Sequence, residues 1–249
     1  MSAPDPSPRQ PPPEQASVRN NLLRLMSPQD FARVAPHLQP GHLSKGEMIL
    51  ARGVPVTYAT FMEDSIGSAV AVSHEGHRIE AGLFGRDGFW PVSLAMSDDR
   101  SVYDCVAQLP GNCWRIPADA FRAALDSSPT LHALMLRYVQ ALSVQTSYTA
   151  LSNAVHPIDE RLARWLLMCD DRVDTDLPLT HEFLSLMLAV RRPSVTTALH
   201  VLEGNGFIRA ERGCIVIRNR AALEEFAGDA YGVPEAEYER LIGPLNPGR

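Results

Sequence analysis

The chain has 249 residues, enough for one large or two small domains, and 45% of them are hydrophobic against 21% charged, an ordinary globular balance. No stretch approaches about 18 uninterrupted apolar residues and the Pro-rich start has no apolar centre, which excludes a membrane-spanning helix and a secretory signal. A formal net charge of −6 leaves room for nucleic-acid binding only as a locally basic module.

Residues 1–17, rich in Pro, Ser and Gln, are expected to form a disordered tail. From Asn21 to Leu38 the chain reads as helical, with Leu22, Leu25, Met26, Phe31 and Val34 at helical spacing around Ser27-Pro28. Between Leu43 and Arg115 short apolar or alternating runs (48–50, 69–72, 79–83) are broken by glycine, which predicts a β-sandwich or roll. A short helix over 118–125 follows. A long one from about Thr130 to Asn153 carries Leu131, Met135, Tyr138, Leu142, Gln145 and Thr149 at alternating spacings of four and three. Such a stripe fits either a core helix or a heptad seam. Because the spacing outlasts its apolar half, a dimer seam built on Leu131, Met135, Tyr138 and Leu142 is the favoured expectation. His156-Pro157 ends that helix. The next, over 159–169, turns Leu162, Trp165, Leu166 and Cys169 inward. Gly228 onward, with Gly232-Val233-Pro234 and a Pro-containing end, is expected to be a loosely held tail over 229–249.

The most specific segment is 179–220. Thr180 is placed to cap a short helix carrying Phe183, Leu184, Met187 and Leu188, and Ala189-Val190 marks a turn. A second helix then opens at Arg191-Arg192-Pro193-Ser194, buries Val195, Ala198, Leu199 and Leu202, and shows Ser194, Thr196, Thr197 and His200 on its other face. Pro193 suits a first helical turn, where a missing N–H costs nothing. Two cations beside a positive helix end make sense when a polyanion binds there. Runs 207–209 and 215–218 flank a Gly-containing connection and predict a hairpin. The segment holds six Arg (191, 192, 209, 212, 218, 220) and three Glu (182, 203, 211), so it is +3 against −9 for the remainder. A helix pair and a hairpin also occur in domains that bind no DNA; the local charge favours a winged helix-turn-helix.

The pattern Leu179-Thr180, Glu182, Met187, Val190, Arg192, Ser194-Val195, Leu199, Leu202-Glu203, Gly206-Phe207-Ile208 and Ile215-Ile217 resembles the DNA-binding domain of the Crp/Fnr family of bacterial transcription regulators. Gly46-Glu47, Gly82, Gly85-Arg86-Asp87-Gly88 and Arg100-Ser101 resemble that family's β-roll sensor. The resemblance implies an α+β protein with a cyclic-nucleotide-binding-like β-roll over 18–128, a dimerisation helix over 129–156 and a winged helix-turn-helix over 157–228. It also implies a cytoplasmic homodimer on double-stranded DNA, and it leaves RNA polymerase open as a further partner. Arg192 matches the base-reading arginine, for which guanine O6/N7 is the natural target. Thr180, His181 and Ser194 match phosphate-contacting positions; Arg191, Pro193, Thr196, Thr197 and His200 complete the candidate DNA face. Pro193 and Thr197 stand where well-known members carry a glutamate and a second arginine, so the operator does not carry over.

In the sensor, Arg100-Ser101 and Gly88 match the family's phosphate-binding positions, and Thr146 and Ser147 match positions that meet adenine. Phe89 stands where the ribose-binding carboxylate is expected, which argues against a cyclic nucleotide and makes the sensor degenerate. Arg100 paired with a surface acid such as Asp98 or Asp104 is the competing reading. The effector remains open. Four scattered cysteines (105, 113, 169, 214), none before Cys105, predict isolated thiols in a reducing compartment and no iron–sulfur cluster. His74 and His77 flank a turn without further ligands, so no metal site is expected. Catalytic motifs are missing, and an enzyme is not expected. A ligand-sensing module whose helices bind protein rather than DNA is the alternative function.

Overall fold

A computed structural model describes residues 11–211 and 213–246; most of the Pro-rich segment and Arg212 lie outside them. Gln15–Ser17 form a 3-10 turn, although 1–17 was expected to be disordered. The cause is local: α1 (Asn21–Leu25) is one turn long and leaves its carbonyls open, and the Gln15 amide donates to those of Leu23, Arg24 and Met26 at 2.9–3.2 Å. The helical region expected around Ser27-Pro28 divides there, because Ser27 caps α2 (Pro28–Val34) through its hydroxyl and Pro28 occupies the first turn.

Eight strands then make the roll: β1 (Gln39–Leu43), β2 (Met48–Leu50), β3 (Tyr58–Met62), β4 (Ile66–Val72), β5 (Arg78–Phe84), β6 (Phe89–Trp90), β7 (Asp104–Leu109) and β8 (Gly111–Pro117). They pair antiparallel as two four-stranded sheets, ordered β1-β8-β3-β6 and β2-β7-β4-β5. Phe61 on β3 and Phe89 on β6 stack at 5.4 Å, and Phe121 of α3 (Ala118–Ser127) meets both rings edge-on.

The 27-residue helix α4 (Pro129–Val155) runs from this aromatic core along the second sheet. Leu131, Met135, Tyr138 and Leu142, expected at a dimer seam, are buried in their own chain. A core stripe and a coiled-coil seam share one spacing, and here the roll takes the stripe. Gln145 continues it for a polar reason: its amide accepts from the Leu83 N–H at 2.8 Å and donates to the Leu83 carbonyl at 3.0 Å, sealing the edge strand β5. The outward stripe of α4 is Ala133, Leu136, Gln140, Ser143, Ser147 and Leu151, all exposed and all uncharged.

Helices α5 (Ile158–Asp170), α6 (His181–Met187), α7 (Arg192–Gly204) and α8 (Arg220–Ala227), with the hairpin β9 (Ile208–Glu211) and β10 (Cys214–Ile217), form the C-terminal unit. The expected boundary at 156/157 does not separate two cores. Ile66, Val70, Leu83 and Leu109 of the roll join Leu162, Leu166, Leu184 and Leu199 in one apolar cluster. The expected loose tail over 229–249 is also corrected as far as residue 246, with 247–249 outside the described residues, because α9 (Val233–Leu241) packs on α4 with Tyr238 and Leu245 buried. Pro234, Tyr238, Ile242 and Leu245 fall at helical spacing, and Gly232 marks the start of that helix rather than a loop: its N–H donates to Glu235 at 2.9 Å.

Candidate nucleic-acid interface and sensor cavity

The Thr180 hydroxyl accepts from the Phe183 N–H at 3.3 Å and caps α6. The turn before α7 runs through Ala189 at φ 50, a left-handed conformation that side chains other than glycine rarely adopt. His181 Nδ1 lies 2.9 Å from the Thr196 hydroxyl and ties the two helices together, so these two groups are engaged within the module. Val195, Ala198, Leu199 and Leu202 are buried under α7, while Arg191, Arg192, Pro193, Thr197 and His200 are exposed and Ser194 is half-buried. Arg191, at the N-cap position, supplies no capping hydrogen bond, and Pro193 sits in the first turn. Pro193 has no N–H and the Ser194 N–H already donates to the Arg191 carbonyl at 2.9 Å, so within this turn it is the Arg192 amide that is left to an outside acceptor. Neither Arg191 nor Arg192 enters an ion pair among the described residues.

The other counted arginines divide. Arg220 is spent inside the fold on Asp170 and Asp171 at 2.6 Å and Glu224 at 2.7 Å. Arg209 pairs with Glu211 across the outer side of the wing. Arg218 is exposed, and Arg212 lies outside the described residues. The local +3 thus overstates the wing and understates the mouth of α7.

A groove of about 1,030 Å³ runs from Thr180, Arg191 and Ser194 to Lys45, His77 and Arg78 of the roll. Lys45 and Arg78 were not singled out from sequence, and His77 only as part of a turn; more than a hundred residues separate all three from α7 and no local pattern connects them. Lys45 reaches across to the Pro178 carbonyl at 2.5 Å.

The six residues expected at an effector pocket do not converge. The Gly88 N–H is bonded to the Gly85 carbonyl at 3.0 Å, and its carbonyl accepts from the Asn20 amide at 2.8 Å. Phe89 is fully buried in the aromatic core. The Arg100 side chain is exposed, 3.9 Å from Asp99, while Asp98 accepts its backbone N–H at 3.0 Å. The surface-acid reading of Arg100 holds in kind, with Asp99 as the partner. Ser101 is buried in a turn with Tyr103. Thr146 and Ser147 alone line a cavity, of about 330 Å³, against β4, β5 and Trp90. Trp90 divides it from a polar cavity of about 220 Å³ that holds the Glu47–Arg115 pair.

Polar contacts, the Arg86–Asp174 pair half-exposed and the others buried, hold the C-terminal unit on the roll. Arg172 grips Asp87 through two bonds of 2.8 and 3.0 Å, both side chains being 3% exposed. Arg86 pairs with Asp174 at 2.6 Å. Glu80 on β5 accepts from Trp165 Nε1 at 2.9 Å and from the Ser68 hydroxyl, and burial pushes its carboxyl up from the ordinary range. Among the described residues no three His, Cys, Asp or Glu stand close enough to hold a metal ion, and no helix is long and apolar enough to cross a membrane.

Residues 160–226 match the family of Crp-like helix-turn-helix domains. The global nitrogen regulator of Synechococcus elongatus is 24% identical over 198 residues, 76% of this chain and 89% of that protein. Among solved structures, the c-di-GMP responsive global regulator CLP of Xanthomonas campestris superposes with a TM-score of 0.60 at 15% identity, over 77% of this chain and 99% of its own. A Crp-family transcriptional regulator of Thermus thermophilus gives 0.62 at 19% identity, over 76% and 96%. At these identities the structural likeness is one of fold.

Proposed function

We propose that this chain, a Crp/Fnr-family transcription regulator by its helix-turn-helix domain and its cyclic-nucleotide-binding-like fold, reads DNA as a homodimer through the N-terminal end of α7 and does not use a cyclic nucleotide as its effector. The observation that carries the DNA reading is the uncapped, exposed start of α7 with the unpaired Arg191 and Arg192 beside it. A phosphate oxygen satisfies an open helix amide such as that of Arg192, and the Arg192 guanidinium has the fork geometry that matches a guanine edge in the major groove. Lys45, on the rim of the adjoining groove, carries positive charge onto the roll, while its neighbour Arg78 is paired with Asp104 at 3.7 Å.

Dimerisation is supported by the outward stripe of α4. Its 27 residues carry one full charge, Arg137, and apolar or small polar side chains on both faces, which suits a helix covered on both. Two copies joined there would present two α7 helices to half-sites about one helical turn apart. Selection of bound sequences from a random duplex library tests the whole reading. A two-fold symmetric site, lost with Arg192→Ala, is expected; recovery of no enriched sequence overturns it.

A further inference from the structure

Around the start of α1 three arginines meet a single carboxylate. We propose that the polar cavity they line binds a phosphate dianion, free or carried as the monoester of a small uncharged metabolite. The cavity, of about 330 Å³, is bounded by Ser17, Arg19 and Arg24 from the N-terminal segment, Arg86 from the turn between β5 and β6, and Asp174 from the connection between α5 and α6. It shares no lining residue with the cavity beside α4.

Its charge is out of balance. Asp174 takes the two Arg86 Nη groups at 2.6 and 3.0 Å and one Nη of Arg19 as well. Arg24 enters no ion pair among the described residues and donates to the Asn21 side-chain oxygen at 3.3 Å. Glu63 is held by the backbone N–H groups of Arg19 and Asn20 and does not line the cavity. Three guanidiniums against one carboxylate leave two positive charges over, which a dianion cancels and a phosphodiester, with one charge, does not. One donor also lacks its acceptor: Arg86 is 6% exposed, and its buried Nε has no hydrogen-bond partner among the described residues. Each guanidinium carries five N–H groups in a fixed plane, and a tetrahedral phosphate offers oxygens to several such forks at once. Since small-molecule sites begin at about 300 Å³, the volume also admits a small uncharged body attached to the phosphate. An occupant bridges the N-terminal segment, the roll and the C-terminal unit, and its binding does not depend on how α7 reads DNA.

The test is calorimetry on the full chain, in buffer free of phosphate and sulfate and at fixed ionic strength, with inorganic phosphate and with glycerol 3-phosphate. One anion per chain is expected. Tighter binding of glycerol 3-phosphate identifies a metabolite as the source, and equal or weaker binding identifies free phosphate. Arg24→Gln, at an exposed position, keeps the fold and should weaken binding about tenfold or more, while Arg33→Gln, an exposed arginine of α2 outside the cavity, leaves it unchanged. Amide exchange should slow on binding in residues 16–24 and 172–178, and cyclic AMP, a phosphodiester, should not compete. No binding of either anion up to about 1 mM overturns the proposal. So does unchanged affinity in Arg24→Gln, an equal loss in Arg33→Gln, slowed exchange only in other segments, or competition by cyclic AMP.

Discussion

The Tyr138 hydroxyl occupies the place where a Cβ on residue 88 would stand, so Gly88 and Tyr138 share a space that only a glycine can concede. The contact reassigns Gly88. A residue placed by resemblance at a phosphate site is needed for packing, and the helix it packs on is the one that closes the roll. Gly88→Ala is expected to destabilise the protein by about 1–3 kcal/mol or to prevent folding, the range for overpacked cores. Tyr138→Phe should do the opposite: the hydroxyl is buried without a partner, and removing it is expected to add about 1 kcal/mol or more in urea unfolding.

Arg191 and Arg192 lead to a prediction about salt. Each arginine that neutralises a phosphate adds about 0.9 to the slope of log affinity against log salt. Arg191→Ala, present twice in a homodimer, should reduce that slope by about two and weaken all sequences alike. Arg192→Ala should instead cost about 1–3 kcal/mol at its cognate base pair and flatten discrimination there, read by competition gel shifts.

Two faces of α4 should respond differently. Leu136→Arg and Ser147→Arg, on the exposed stripe, are expected to yield folded monomers in analytical ultracentrifugation. Leu131→Ala, on the buried stripe, is expected to cost about 2–5 kcal/mol without a specific effect on association. A monomer–dimer equilibrium unmoved by both arginine variants would exclude that stripe as the interface.

Glu80 makes stability depend on pH. Burial raises its carboxyl and prevails over the lowering by Ser68, Trp165, Arg164 and Arg172. The folded protein then keeps a proton that the unfolded chain releases, so this contribution is complete below the ordinary value of 4.5 and is lost as pH rises through the folded-state value. Glu80→Gln retains an acceptor for Trp165 Nε1 and cannot titrate. Stability measured from pH 4.5 upward should therefore fall less steeply in the variant than in the wild type.

The backbone of Ala189 carries a smaller expectation. At φ 50 a β-branched residue is strained, so Ala189→Val should cost about 1–3 kcal/mol and loosen the helix pair, visible as faster amide exchange in α6.

The helix-turn-helix was legible because all its signals are local: cap, turn, apolar spacing and charge lie within some forty residues, and packing obeyed them. The roll was legible as texture, through short apolar runs cut by glycine. What misled was ambiguity of period and of distance. The spacing of Leu131, Met135, Tyr138 and Leu142 fits a core and a seam equally, and only the position of the second sheet decides. Arg100 and Phe89 could be matched to a pocket by sequence position, but whether side chains converge depends on loops no pattern describes. Lys45 and Arg78 share a groove with Arg191 and Ser194 through a domain contact with no sequence signature. The helix at 233–241 was legible in principle, since Pro234, Tyr238 and Ile242 keep helical spacing; the glycine and prolines around it drew the eye to a loop.

That helix also sets an order of events during synthesis. The Tyr238 hydroxyl donates to the Asp87 carbonyl at 2.7 Å, and the Asn21 amide donates to the Leu245 carbonyl 224 residues away. At translation rates of about 5–20 residues per second, the groups near the start wait about 10–45 s for partners not yet synthesised. A message that ends early, even past the last residue of the wing, therefore leaves the first helices without their closing bonds. The nascent roll is a half-finished object that the cell's chaperones and proteases meet before the DNA does.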